Sequence, residues 1–264
     1  MIIEKSPVTY QENKNDELIT ARTIQLGLLP KARHFNRFFK QHFIIDIPLN
    51  TVSGDFYWVG EKHNLKYLVV GDCTGHGSSA ALLSVLAINL FEYVIMNKGI
   101  KKIFKVLEAV DKRFIESFKD AEGGTFDNPW IDLSIICIDE AKEKVYFSSA
   151  NRKLLYIDSD QNTTVYKGNK YPIGGWQITN QRDFKTQVIN YKSGDQLYLG
   201  SDGFQDQIGG PNQKKYKSKK LHAFISAHAK QDLKAQKQAL INEFYNWKKD
   251  AIQTDDICIV GIQL

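Results

Sequence analysis

A chain of 264 residues with 42% hydrophobic and 25% charged residues has the composition of a folded globular protein, which excludes a disordered or fibrous one. Its net charge of +5 is too modest to mark a nucleic-acid binder, and the lone Cys73, Cys137 and Cys258 form no CxxC pair, so neither a zinc cage nor a disulfide framework is suggested. No uninterrupted apolar run approaches the roughly 18 residues of a membrane span, and the first residues hold no apolar signal core. A cytoplasmic protein with no membrane span is expected.

In chain order, NDELITARTIQLGLLP places Leu18, Ile19, Ile24, Leu26, Leu28 and Leu29 on an amphipathic helix that Pro30 stops, and that apolar stripe must pack somewhere. QHFIIDIPL, FYWVG and LKYLVVGD read as three sequential strands, with adjacent antiparallel pairing the simplest arrangement. Ser78 to Met96 is apolar nearly all round and predicts a helix buried on more than one side, whereas IFKVLEAVDKRFIESF has the 3.6 period of a helix covering one face of a sheet.

Then the texture changes. WIDLSIICID, KVYFSSA, KLLYID, FKTQVINY and QLYLGSD are strand-like runs between turn formers, expected to supply most of a second antiparallel sheet. KKYKSKK, from Lys214 to Lys220, reads as a solvated loop, with an acidic partner surface as the alternative. LHAFISAHA and AQKQALINEFYNW are helical in period, and DICIVGIQL closes the chain as a buried strand. These elements make an α+β protein with helices on the faces of antiparallel sheets, divided into an N-terminal helical extension (1–34) and one catalytic domain (35–264).

Four acidic sites share one local grammar: Asp55 in SGDF, Asp72 in VVGDCTGHG, Asp202 in LYLGSDG, and Asp255 with Asp256 in QTDDICIV each sit where a predicted strand meets a turn. Converging carboxylates repel, so either some are protonated or a cation holds them, and an all-oxygen donor set suits Mg²⁺ or Mn²⁺. Flanking glycines let backbone and solvent crowd close, and the turn after Asp72 could aim the Cys73 main-chain carbonyl at a metal. His76 is a candidate general acid, with a loop-stabilising hydrogen bond as the alternative. Asp195 in SGDQ reads as a turn former, and Trp130 and Trp176 as core or rim packing.

SGDF, GDCTGHG followed by SSAALL, GDQLYLGSDG and a C-terminal DDI, in that order, resemble the four signature blocks of the metal-dependent PPM protein phosphatases, most closely their bacterial SpoIIE-like branch. ARTIQLGLLP, YPIGG and DQIGGP extend the resemblance over almost the whole chain. It implies a β-sandwich of two antiparallel sheets flanked by helices, and hydrolysis of phosphoserine or phosphothreonine with two Mn²⁺ or Mg²⁺ ions and no protein nucleophile. By the same resemblance, Asp72 bridges both ions, Cys73 offers its carbonyl, Asp55 serves the first metal site, and Asp202 and Asp255 complete the second. Asp206 stands where some members bind a weaker third ion, and Asp256 is either a further ligand or a group that caps its neighbour.

SSANRKLL departs from the glycine-histidine pattern of this branch, and Arg152 there is read as a solvated surface residue, with phosphate contact as the alternative. The expected partner is a phosphorylated protein, an anti-sigma-factor antagonist being the example relatives suggest, with no nucleic acid, and the N-terminal helix is a candidate homodimer or switch element. A non-catalytic binding module on the same fold, or a small-molecule phosphatase, are the alternatives.

Overall fold

The computed structural model describes residues 7–119, 128–175 and 182–264, with side chains from residue 16 onward. In chain order the elements are α1 (Pro7–Leu28), α2 (Ala32–Phe38), β1 (Gln41–Ile47), β2 (Asp55–Lys62), β3 (Leu65–Cys73), α3 (Ser78–Glu92, continued by a π-helical turn at Tyr93–Asn97) and α4 (Ile103–Phe118). There follow β4 (Trp130–Asp139), β5 (Lys144–Ala150), β6 (Lys153–Ile157), β7 (Thr163–Lys167), β8 (Ile173–Gly174), β9 (Gln187–Asn190) and β10 (Gln196–Gly200). The chain ends with α5 (Gly203–Asp206), β11 (Ile208–Gly209), β12 (Lys214–Lys215), α6 (Ser218–His228), α7 (Leu233–Lys248) and β13 (Ile257–Gln263).

Two antiparallel sheets face each other, one in the order β1-β13-β10-β6-β7 and the other β2-β3-β4-β5-β9 with β8 beside β4. The sheets do not follow the chain as expected. β2 and β3 pair as neighbours, but β1 leaves them to pair with the C-terminal β13 in the opposite sheet. The later strands likewise divide: β4, β5 and β9 extend the β2–β3 sheet, while β6 and β10 join β13. Residue alternation shows which runs are strands; the partner along each edge is set by which turns cross the sandwich. One such crossing is the tight turn after Ala150, where Asn151 adopts φ of 57° and the chain passes from β5 to β6.

The β-period is visible in the core. Phe43, Ile45, Leu155, Ile157, Tyr198, Ile257 and Ile259 point outward from the first sheet and meet Leu221 and Ile225 of α6 and Leu240 and Phe244 of α7. Their alternating neighbours Leu154, Tyr156, Leu197, Leu199, Cys258 and Val260 point inward and pack with the second sheet. α3 and α4 cover the far face of that second sheet, completing four layers of helix, sheet, sheet and helix. Ser78–Asn97 has the length and apolarity of a bilayer span, yet its Ala80, Leu83, Ala87, Ile88 and Phe91 are core residues, so here the segment packs on the sheet as a covering helix with Leu82 exposed.

Two local expectations are corrected. On α1 the apolar stripe stays open, with Ile19, Ile24, Leu26 and Leu28 exposed, and what the helix and its end bury is Gln25 and Leu29. The Gln25 amide donates to the Ser53 carbonyl (2.6 Å) and to Ser84 Oγ (2.9 Å), and accepts from the Ser53 N–H (3.2 Å), so a polar clasp seats the helix. The five lysines of the basic run are solvated as expected, but the run is not a loop: Lys214 and Lys215 pair with β11, Tyr216 is buried, and α6 begins at Ser218. Trp176 lies outside the described residues, and Trp130 is a partly exposed rim residue.

Replacing Gln25 with Leu keeps the volume but leaves the buried Ser53 amide and carbonyl without that partner. A loss of about 1–3 kcal/mol, measured by urea unfolding, is expected.

Candidate metal centre

Antiparallel register sets three carboxylates in a row across the second sheet, because Asp55 at the start of β2 lies opposite Asp72 of β3, and Asp72 opposite Asp132 of β4. Directly opposed residues share a face and stand close enough for like charges to repel. From the other sheet, Asp202 lies two positions beyond the end of β10 and Asp255 precedes β13 by two positions, so both enter from the same end of the sandwich. Close backbone approach makes this convergence tight. A Cβ on Gly203 would lie 2.0 Å from the Asp256 carbonyl oxygen, and one on Gly54 would lie 2.9 Å from Ala80 Cβ and 3.1 Å from the Cys73 carbonyl oxygen. A side chain at 54 would therefore crowd that carbonyl.

Arg152 lies in the middle of the cluster. Its Nη2 contacts Asp72 Oδ2, its Nη1 lies 2.8 Å from Asp202 Oδ2, and Asp132 Oδ2 is 3.7 Å away. With its side chain only 10% exposed, it is the counter-ion of the aspartates and not the solvated surface residue expected. The β5–β6 crossover puts it there, and the adjacent Asn151 amide donates to Asp132 Oδ1 at 2.9 Å. Asp132 escaped the reading of the sequence, although a carboxylate in the otherwise apolar strand WIDLSIICID was a usable signal. Ser201 was missed as well: its hydroxyl donates to Asp55 Oδ2 (2.5 Å) and accepts from the Cys258 N–H (2.9 Å), tying the ends of β2, β10 and β13 together.

The electrostatics follow from burial. Two unit charges about 4 Å apart at an effective dielectric of about 20 interact by about 4 kcal/mol, so crowded carboxylates resist full ionisation. Burial, and then the neighbouring Asp72, hold Asp55 well above the usual carboxylate range. Burial likewise pushes Asp72 up to about 8 against the pull of Arg152, with Asp202 and Asp255 adding to the rise. Asp132 and Asp255 are also raised, chiefly by burial. Asp202 goes the other way: burial would raise it, but the Arg152 guanidinium outweighs that and holds it below the ordinary value.

The remaining candidates lie apart from this cluster. Asp256 is engaged elsewhere, its two oxygens accepting from the Leu49 and Gly54 N–H groups at 2.7 Å each, so it pins the loop that leads into Asp55. Asp206 sits one turn beyond Asp202 and pairs with Lys215 at 2.9 Å. His76 is exposed and makes no hydrogen bond among the described residues, so it does not brace its loop. The Cys73 thiol is fully buried, and burial pushes it well above its ordinary range, which leaves only the main-chain carbonyl for chemistry. Asp195 is a turn former as expected, its carboxylate accepting from the Ser159 and Lys192 N–H groups.

Among the described residues no three His, Cys, Asp or Glu side chains are arranged to enclose a metal ion, and Arg152 now holds two of the carboxylates that would. The donor set nevertheless fits a hard divalent cation. It consists of oxygen alone, and its mutual repulsion already draws a guanidinium between Asp72 and Asp202.

The family model for stage II sporulation protein E (SpoIIE) matches residues 64–264. The chain belongs to the SpoIIE family. Among solved structures it resembles the SiaA-PP2C domain of Pseudomonas aeruginosa, at 26% identity and a TM-score of 0.85, over 97% of this chain and 98% of that one. The PP2C phosphatase domain of SpoIIE from Bacillus subtilis, solved with a fragment of its regulatory domain, matches at 20% identity and a TM-score of 0.66, over 84% of this chain and 62% of that one. RsbX, solved in complex with magnesium, shares the fold at 16% identity and a TM-score of 0.55, over 84% of this chain and 94% of that one. No curated protein matches the sequence. The PP2C-type sandwich expected from the signature blocks is thus the fold observed.

Two outcomes are expected. Raised folded-state values mean that Asp55, Asp72, Asp132 and Asp255 hold protons in the folded chain where an unfolded aspartate is ionised. Metal-free protein in EDTA should therefore lose stability as pH rises from about 4 to about 8, and Asp72→Asn should flatten that slope in thermal unfolding curves. Ser201→Ala should cost about 1–3 kcal/mol in urea unfolding, because it strands the Cys258 N–H and deprives Asp55 of its donor.

Proposed function

We propose that this protein hydrolyses phosphoserine and phosphothreonine on a partner protein, in a reaction that requires Mn²⁺ or Mg²⁺. The observation that carries the reading is the meeting of Asp55, Asp72, Asp202 and Asp255, from four separated stretches of sequence, at one end of the sandwich. Membership of the SpoIIE family and the likeness to PP2C phosphatase domains support it, as does the magnesium complex of RsbX.

In this reading Asp72, Asp55 and the Cys73 carbonyl would hold one ion, Asp72 with Asp202 and Asp255 would hold the other, and Asp206 would be the candidate for a weaker third. When bound, such ions activate a water and neutralise phosphate oxygens, the chemistry on which phosphoryl transfer chiefly depends. The chain's own part is to orient and to exclude. Ser201 holds Asp55 in its rotamer, Asp256 fixes the loop before it, and Gly54 places no side chain against the carbonyl of Cys73.

A phosphorylated signalling protein in the cytoplasm, such as an anti-sigma-factor antagonist, is the substrate we propose, by analogy with relatives. A second reading, a non-catalytic module, draws on one observation: Arg152 neutralises the aspartates internally.

Para-nitrophenyl phosphate and a phosphoserine peptide, each assayed with Mn²⁺, with EDTA, and beside Asp72→Asn, separate the two. Phosphatase activity should appear with Mn²⁺ and fall at least about a hundredfold in EDTA and in the variant. Equal rates in all three conditions would end the metal-dependent reading, and no turnover by the wild type would favour the module.

A further inference from the structure

Arg152 is paired with Asp72 and Asp202, two of the carboxylates that the function proposed above assigns to divalent ions. The guanidinium holds Oδ2 of each carboxylate, and its charge, next to those oxygens, opposes the approach of a second cation to the same groups. The guanidinium is also incompletely satisfied where it is: its Nε–H is buried and has no hydrogen-bond partner among the described residues. A buried unpaired donor carries a desolvation cost, which weakens the hold of this position on the side chain.

Room to leave is at hand. A cavity of about 250 Å³ opens beside the guanidinium, lined by Arg152 itself with Lys153, Asp202, Gln205 and His222. Its position next to the cluster allows the side chain to turn away while its backbone, held by the Ala150 carbonyl and Ser149 hydroxyl, stays in place.

We propose that Arg152 is a resident counter-ion that a divalent cation must displace, so that this residue sets the metal affinity of the aspartate cluster. In the absence of metal it pairs with Asp72 and Asp202 and keeps the end of the sandwich from springing apart. On metal loading it turns toward the cavity, where it and Lys153 present positive charge beside the site. The proposal rests on the metal-binding part of the function proposed above, and goes beyond it in naming the group the metal competes with.

Isothermal titration of EDTA-treated protein with Mn²⁺ tests it, using wild type, Arg152→Ala, Arg152→Gln and Arg152→Lys, with Asp72→Asn as the site control. Both neutral variants should bind Mn²⁺ about tenfold or more tightly than wild type, and Arg152→Lys, which keeps a cation there, should stay closer to wild type. Thermal unfolding should show the metal-free neutral variants melting below metal-free wild type, with Mn²⁺ raising their melting temperature by more. Unchanged or weaker Mn²⁺ binding in both neutral variants would overturn the proposal while leaving the metal reading intact. Should Mn²⁺ bind neither wild type nor any variant, the metal reading fails and the proposal with it. Using both Ala and Gln, with circular dichroism on each, separates a folding defect in one variant from a change in affinity.

Discussion

Concentrated negative charge at one end of a β-sandwich is the constraint on which the rest of this structure depends. Antiparallel register alone lines up Asp55, Asp72 and Asp132, and the ends of β10 and β13 add Asp202 and Asp255. Few features of a protein cost more than partly buried carboxylates without a counter-charge. The chain answers with a cation of its own, Arg152, delivered by the crossover that carries the backbone from one sheet to the other.

Much of the surrounding architecture reads as support for that arrangement. Ser201 bonds Asp55 and the β13 backbone at once, so one hydroxyl joins the two sheets where they meet the cluster. Asp256, adjacent to a candidate ligand, instead holds the amides of Leu49 and Gly54, and thereby the loop that enters β2. Gln25 reaches the same loop from α1 through Ser53, which connects the first helix of the chain to the position of Asp55. The central strands of the two sheets are buried on both faces, leaving little freedom for their ends to spread.

Family membership and site geometry carry different parts of the functional case. The SpoIIE family model and the structural likenesses establish the PP2C-type scaffold. What the scaffold does here depends on particular side chains, because a fold hosts a reaction only through the groups at its site. Arg152, expected at the surface, lies in the middle of the cluster and not at the periphery.

From the sequence alone, most strands and the long helices were legible, since periods of 2 and 3.6 report burial directly, and the carboxylates Asp55, Asp72, Asp202 and Asp255 announced themselves beside glycines or at strand starts. Which sheet each strand joins was not legible: β1 and β13 are far apart in the chain, and alternation contains no information about an edge partner. Tertiary structure alone placed Asp132 beside Asp72, turned Asp256 toward backbone amides, and brought Arg152 in from the surface. The physical reason is common to all three. Hydrophobic pattern is a property of neighbours along the chain, whereas register, hydrogen-bond partners and counter-ions are decided by residues that become neighbours only once the sheets have closed.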